Sequence, residues 1–401
     1  MIYLDNAATS FPKAPGVGEA AAAFIANDAA NPGRAGHRMA VAAEQMLDGV
    51  RLKLARLFNA PNHERMVFAM NGTDALNIAI KGVLSAKLSE RGANTAGVPH
   101  VITSVLEHNS VSRPLQAMAD AGAITLTRVD CDDAGLIDPQ AIKAAITGDT
   151  ALIALTHASN VTGTIQDAAA VGAIAREADV LFLLDAAQTA GVVPIDVEAM
   201  QIDLLAFPGH KSLLGPTGTG ALYVGDRCPE ASEDPNAAGR FAPFREGGTG
   251  GDSSTPTQPS LYPYYLEGGT PNTVGLAGLA AGIDHVLAHP MAETLAHEQA
   301  LCGKLIDAVK DDERFTVLGT LDPAARVGTV SINVVGMDAP DIGSILDDSF
   351  EIAVRPGLHC SPYAHQRFGT FPDGAIRVSP GAFSTEDEMD QLIEALDQIA
   401  M

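Results

Sequence analysis

Val180-Leu181-Phe182-Leu183-Leu184-Asp185 is an apolar run that ends on a carboxylate, and Asp203-Leu204-Leu205-Ala206-Phe207 is a second run, followed by Pro208-Gly209-His210-Lys211. Short aliphatic runs without polar alternation read as strands buried on both faces of a parallel sheet. His100 to Val105, Ala151 to Thr156 and Gly220 to Val224 are runs of the same kind. Helical patterns separate them between residue 67 and about residue 225. The chain therefore reads as an α/β protein with a mostly parallel sheet.

In such a sheet the ligand sits outside the carboxyl ends of the strands. Those ends carry Glu107-His108, His157 to Asn160, Asp185 to Gln188 and His210-Lys211. Asp185 and Lys211 are the two groups that pyridoxal phosphate needs from a protein. One is a buried carboxylate that keeps the pyridine nitrogen protonated, and the other is a lysine able to form a Schiff base with the aldehyde. Leu76, Ala79, Ile80, Val83 and Leu84 have the spacing of one buried helix face, and Asn71-Gly72-Thr73-Asp74 opens that helix. Free amides at a helix start suit a phosphate, which makes Gly72 and Thr73 candidates to hold one. The glycines of Gly215 to Gly220 follow Lys211 instead of preceding it, so this is not a nucleotide-binding P-loop.

Composition narrows the partners. A formal net charge of −24 over 401 residues argues against nucleic acid and anionic membranes, whose ligands are bound by clustered Lys and Arg. No apolar stretch reaches the roughly 18 residues of a membrane span, and Met1-Ile2-Tyr3-Leu4-Asp5 has no signal-like n-region. Cysteines at 131, 228, 302 and 360 form no close pair, which suggests neither a disulfide framework nor a structural zinc site. A cytoplasmic, soluble enzyme is expected.

Between about 225 and 272 prolines and glycines crowd together, including Pro229, Pro235, Pro243, Gly247 to Gly251, Pro256, Pro259 and Pro263. This reads as a long functional loop in which Phe241, Phe244, Leu261, Tyr262, Tyr264 and Tyr265 can pack. From Thr273 a helix leads into a smaller α+β lobe. It ends in a helix capped by Ser384 with Asp387 three residues on, bearing Met389, Leu392, Ile393 and Leu396 on one face. The expected division is a large cofactor-binding domain over 15–262, and a small domain made of 1–14 and 263–401.

Six segments in order carry a family resemblance: Tyr3-Leu4-Asp5-Asn6-Ala7-Ala8-Thr9, Glu107-His108-Asn109-Ser110, His157-Ala158-Ser159-Asn160, Asp185-Ala186-Ala187-Gln188, Gly209-His210-Lys211 and Arg355-Pro356-Gly357-Leu358-His359-Cys360. Together they resemble the cysteine desulfurase family, within the class V aminotransferase fold. The resemblance implies a type I pyridoxal phosphate-dependent transferase fold, with a seven-stranded sheet in the large domain. It implies that His108 stacks on the cofactor ring and moves protons, and that Gln188 lies near the ring oxygen. Asn160 would touch the ring oxygen or the substrate carboxylate, and Thr73 and His210 would bind the phosphate. Thr270, in Gly268-Gly269-Thr270-Pro271-Asn272, resembles a segment that reaches the phosphate of a neighbouring subunit, so a homodimer is implied. Two departures stand out. Pro208 replaces a common serine and offers neither hydroxyl nor amide proton, and Leu358 stands where a second histidine often precedes the cysteine.

Arg377 and Arg355 are the candidate clamps for an α-carboxylate, because a planar guanidinium gives bidentate recognition. Cys360 decides the reaction class. Arg355 and His359 are basic neighbours expected to favour a thiolate, and Gly357 and Pro362 suggest an exposed loop. With the resemblance, Lys211, Cys360 and His108 form the catalytic set of a desulfurase that turns L-cysteine, or L-selenocysteine, into L-alanine. The outer sulfur would remain as a persulfide on Cys360 for a sulfur-acceptor protein. The alternatives are a carbon–sulfur β-lyase or an aminotransferase in which Cys360 is incidental, and a non-catalytic sulfur carrier on the same fold.

Overall fold

The computed structural model describes residues 1–33, 36–93, 97–229, 241–250, 254 and 256–401. In chain order, the N-terminal part contains β1 (Ile2–Tyr3), α1 (Val17–Asn27), α2 (Arg38–Leu57), β2 (Met66–Ala69), α3 (Gly72–Ala93), β3 (His100–Ser104), α4 (Asn109–Asp120) and β4 (Thr125–Val129). There follow α5 (Pro139–Ala145), β5 (Thr150–Thr156), α6 (Ala168–Glu177), β6 (Leu181–Asp185), β7 (Leu204–Pro208) and β8 (Gly220–Val224). The C-terminal part has α7 (Thr273–Ala288), α8 (Met291–Val309), β9 (Phe315–Leu318), β10 (Val330–Val334), α9 (Ala339–Phe350) and β11 (Ile352–Ala353). It closes with β12 (Arg355–Gly357), α10 (Pro362–Arg367), β13 (Ala375–Val378) and α11 (Glu386–Ile399).

Seven strands form the large sheet in the order β2-β8-β7-β6-β5-β3-β4. From β7 to β4 the strands are parallel, and β8 runs against both of its neighbours. Successive side chains of a strand point to opposite faces, so the apolar runs divide between two cores. Phe182, Leu184, Leu205 and Phe207 enter one, and Leu181, Leu183, Leu204 and Ala206 enter the other. Each aliphatic run was a strand because neither face meets water.

The second sheet is antiparallel, in the order β12-β13-β10-β9. Its core combines Val330, Ile332, Ile376 and Val378 with Leu301 and Leu305 of α8, Ile342 of α9 and Leu392 of α11. Leu4 belongs to that core, because β1 pairs in parallel with β11 from far along the chain. The expected face of α11 is buried at Met389, Leu392 and Leu396. Its cap is corrected, however: Thr385, not Ser384, accepts from Glu388 N, and Glu388 reaches back to Thr385 N in a capping box. The Ser384 hydroxyl instead accepts from Gly381 N.

No strand or α-helix occurs among the described residues between 225 and 272. Phe241, Tyr262 and Tyr265 are buried, while Leu261 is 61% exposed and Phe244 38% exposed, so those two correct the packing expectation. Pro235 and Gly251 lie outside the described residues.

Candidate active site

Strands β3, β5, β6 and β7 all end on one edge of the large sheet, and β12 with the turn after it approaches that edge from the second sheet. Between them lies a cleft of about 220 Å³. Its wall carries Gly72, Thr73, His108, Asn160, Asp185, Gln188, His210, Lys211, Arg355, Cys360 and Arg377. Residues from seven separate stretches of sequence thus meet in one place. Thr270 is not among them: its exposed hydroxyl donates to Asn31 Oδ1 at 3.2 Å, away from the cleft.

Lys211 is half-buried on the cleft wall and, among the described residues, its ammonium makes no hydrogen bond or ion pair. Burial first, then repulsion by Arg377, lowers its pKa to about 8, against the attraction of Asp185. Gly209 keeps the turn before it tight, since a Cβ there would collide with the Thr219 hydroxyl. Asp185 ends β6, is 3% exposed and accepts from Ala187 N at 2.9 Å. Burial raises its pKa, opposed by that amide and by the Lys211 charge. A buried carboxylate that costs energy to ionise is matched to a cationic ligand group.

The first turn of α3 lines the other part of the cleft. A Cβ on Gly72 would stand 3.3 Å from Pro208 Cδ, so the helix start and the end of β7 are in close contact. His210 Nδ1 is 3.0 Å from Thr9 Oγ1, and Lys13, which sequence reasoning missed, donates to His210 O at 2.8 Å. An anion-binding helix start, an amine and a buried carboxylate in one cleft fit the phosphate, aldehyde and ring nitrogen of pyridoxal phosphate.

His108 is the N-cap of α4, which gives it a structural role, and the ring lines the cleft as well. Burial first, then Lys211 and the arginines, lowers its pKa to about 4. Ser110 N–H donates to Nδ1 at 3.1 Å, which places the proton of the neutral ring on Nε2. Ser110, a cleft residue not singled out from sequence, also bonds Thr73 Oγ1 through its hydroxyl at 2.7 Å. Its signal was local: a serine two residues after a cap histidine. Beneath His108, Glu107 is fully buried and accepts from Ser104 Oγ and Thr156 N, and burial pushes its pKa up to about 8.

Cys360 is exposed, whereas Cys131, Cys228 and Cys302 are buried. Its turn is held hard. His359 and Cys360 both have left-handed backbones, with φ of 50° and 59°, a conformation costly for residues with a Cβ. Asn160 Nδ2 donates to His359 O at 2.6 Å, Ser361 Oγ donates to Asn160 Oδ1 at 2.7 Å, and Asn109 N–H donates to Cys360 O at 2.7 Å. Asn160 was expected to face cofactor or substrate; it lines the cleft, and its amide grips both residues flanking the thiol.

The charge expected of His359 is corrected. Burial first, then Arg377, lowers its pKa to about 3, so the ring is neutral. Nε2 lies 2.8 Å from Arg355 O and Nδ1 lies 3.3 Å from His365 Nε2, which makes His359 a strut of the turn and not a cation beside the thiol. Arg377 is buried and donates to Asp5 Oδ1 at 2.8 Å and to Asn160 O at 3.3 Å, leaving its buried Nε without a partner. Arg355 is more open and reaches Asp5 Oδ2 at 3.8 Å.

No helix among the described residues is long and apolar enough to cross a membrane, and no group of three or more His, Cys, Asp or Glu there could hold a metal ion. The class-V aminotransferase family model matches residues 2–392. A probable cysteine desulfurase of Methanothermobacter thermautotrophicus is 33% identical over all of this chain and 94% of its own length. A cysteine desulfurase of Salmonella dublin is 30% identical over all of this chain and 93% of its own. Among solved structures, the apo cysteine desulfurase of Thermococcus onnurineus superposes with a TM-score of 0.89 at 29% identity, covering 100% of this chain and 94% of that one. The Escherichia coli cysteine desulfurase CsdA gives 0.84 at 27% identity, over 99% and 94%. Fold, cleft and relatives agree, and the chain belongs to the class-V aminotransferase family and, within it, to the pyridoxal phosphate-dependent cysteine desulfurases.

Proposed function

We propose that this enzyme removes the sulfur of L-cysteine, leaving L-alanine and a persulfide on Cys360. The observation that carries the reading is the convergence of one exposed thiol, one amine unpaired among the described residues and two guanidinium groups on a single cleft with Asp185. Bound pyridoxal phosphate supplies the electron sink that stabilises negative charge at the substrate α-carbon. Asp185 would face the ring nitrogen, and Gly72, Thr73 and His210 the phosphate. Gln188 and His108 would lie against the ring. Lys211, near neutrality in its pKa, is suited to take up the α-proton at Nζ. Arg377 and Arg355 would hold the substrate carboxylate, and the Nε2–H of His108 is available to give a proton back. The Cys360 turn, fixed on three sides, presents its sulfur to the substrate sulfur: the new S–S bond forms there as the substrate's C–S bond breaks.

L-selenocysteine has the same recognition groups and a better leaving atom, and is proposed as a second substrate. A homodimer is proposed with Thr270 serving the neighbouring subunit, supported by its exposure away from its own cleft. The persulfide would pass to a sulfur-acceptor protein. A cytoplasmic setting is inferred from four unpaired cysteines. The proposed division is a large domain over 15–262 and a small domain of 1–14 with 263–401; Leu276, Leu279 and Ile283 of α7 also pack into the large-sheet core. Product analysis tests the reaction: L-alanine from L-cysteine is expected, while pyruvate and ammonia would overturn it in favour of β-elimination.

A further inference from the structure

Cys360 lines two spaces at once. One is the cleft that holds Lys211; the other is an open groove of about 600 Å³ on the outside of α3 and α4, and Thr73, His108 and Ser110 also border both. The groove has a floor of small apolar groups, among them Pro114, Ala117 and Met118, with Lys81 and Arg113 beside them. In a chain with 49 Asp and Glu against 25 Lys and Arg, no carboxylate lines this groove among the described residues. Asp120, the acid at the end of α4, is held by Gln116 Nε2 at 2.6 Å and is not part of the lining. Arg113 is exposed and, among the described residues, has no hydrogen bond or ion pair. Lys81 lies over the Phe244 ring at 4.6 Å and, among the described residues, has no carboxylate partner.

We propose that this groove is the docking surface for the sulfur acceptor, a protein segment that presents its cysteine among Asp or Glu side chains with an apolar residue for the floor. The proposal rests on the persulfide reading of Cys360. The net charge of −24 disfavours an acidic partner, and a carboxylate-free groove with Lys81 and Arg113 beside the thiol both selects and steers it. The transfer balances without an oxidant. The acceptor thiolate attacks the outer sulfur of Cys360–S–SH, an S–S bond forms to the acceptor, the Cys360 Sγ–S bond breaks, and Cys360 leaves as thiolate while the acceptor becomes the persulfide.

The test uses the holoenzyme loaded by L-cysteine and freed of excess substrate, with the Cys360 persulfide quantified first. No persulfide at this stage contradicts the functional reading itself. The persulfide is then discharged with two synthetic cysteine peptides of equal length, one flanked by aspartates and one by lysines, on wild type and on the Lys81→Glu/Arg113→Glu variant. Any intrinsic difference between the two thiols cancels when the rate ratio is compared between the proteins. The acid-to-base rate ratio is expected to fall at least about tenfold in the variant, with alanine formation unchanged. In wild type alone the ratio is expected to shrink with added salt, as screening over about 10 Å at 0.1 M requires. A ratio unaffected by both charge reversal and salt overturns the proposal. So does a variant whose only change is in oligomeric state, which would give the groove to a second copy of this chain.

Discussion

Arg355 and Arg377 stand directly opposite each other across the β12–β13 ladder, and both reach the one carboxylate of Asp5. Asp5 thus neutralises a pair of guanidinium groups at the cleft wall, in the manner a substrate carboxylate would. Arg377→Lys keeps the charge but loses the planar fork. It is expected to raise KM for L-cysteine about tenfold or more, with a smaller fall in kcat. Asp5→Asn is expected to lower KM, because the arginines then lack a competing partner. Steady-state kinetics on both variants checks this, and an unchanged KM in Arg377→Lys would remove it from substrate binding.

Asn160 holds the backbone of His359 and the hydroxyl of Ser361, one on each side of Cys360. Asn160→Ala frees a turn that sits in two left-handed conformations. Persulfide formation is expected to slow by about ten- to a hundredfold, since a misplacement near 1 Å costs on that order. Exchange of the α-proton of L-alanine in deuterated water needs Lys211 but no thiol, and is expected to change little. Loss of exchange in step with persulfide formation would instead put Asn160 on cofactor or substrate.

The lysine sets a pH dependence. Its pKa is lowered from 10.5 to about 8, so the reactive neutral amine is half-formed near pH 8 and is lost as pH falls. The rate at which apoprotein takes up pyridoxal phosphate covalently is expected to drop about tenfold per pH unit below 8 and to level off above it. Stopped-flow absorbance from pH 6 to 10 checks this. A plateau reached only above pH 10 would show an unperturbed lysine.

Much of this site was legible because chemistry and strand ends coincide. Asp185, His210 and Lys211 could be placed from sequence because β6 and β7 are buried on both faces and therefore appear as unbroken apolar runs. The pairing of β1 with β11 was not legible, nor was the sharing of Asp5 by two arginines, because both join segments separated by most of the chain. The three-residue strand β12 has no apolar pattern to reveal it. His359 was misjudged because a histidine beside cysteine looks basic in sequence, and its burial, followed by repulsion from Arg377, makes it neutral against the opposing hydrogen bond to Arg355 O. The α11 cap was displaced by one residue because Ser384 and Thr385 both stand three before an acid, and only Thr385 closes the reciprocal pair.

Pro208 lines the cleft beside Gly72 and cannot donate a hydrogen bond to a phosphate. Pro208→Ser adds a hydroxyl there. A hydrogen bond to a charged group contributes about 1.5–3 kcal/mol, so the cofactor is expected to dissociate on the order of ten times more slowly. Cofactor retained after long dialysis, measured by absorbance, checks this; faster loss than wild type would show that the proline ring is needed to support α3.

The most direct measurement is a single turnover with L-cysteine on wild type and Cys360→Ser, counting L-alanine and protein-bound persulfide per active site. Equal amounts of both in wild type, with both lost in the variant while the cofactor stays bound, are the predicted result. Alanine undiminished in the variant, or persulfide on a cysteine other than Cys360, would contradict the account.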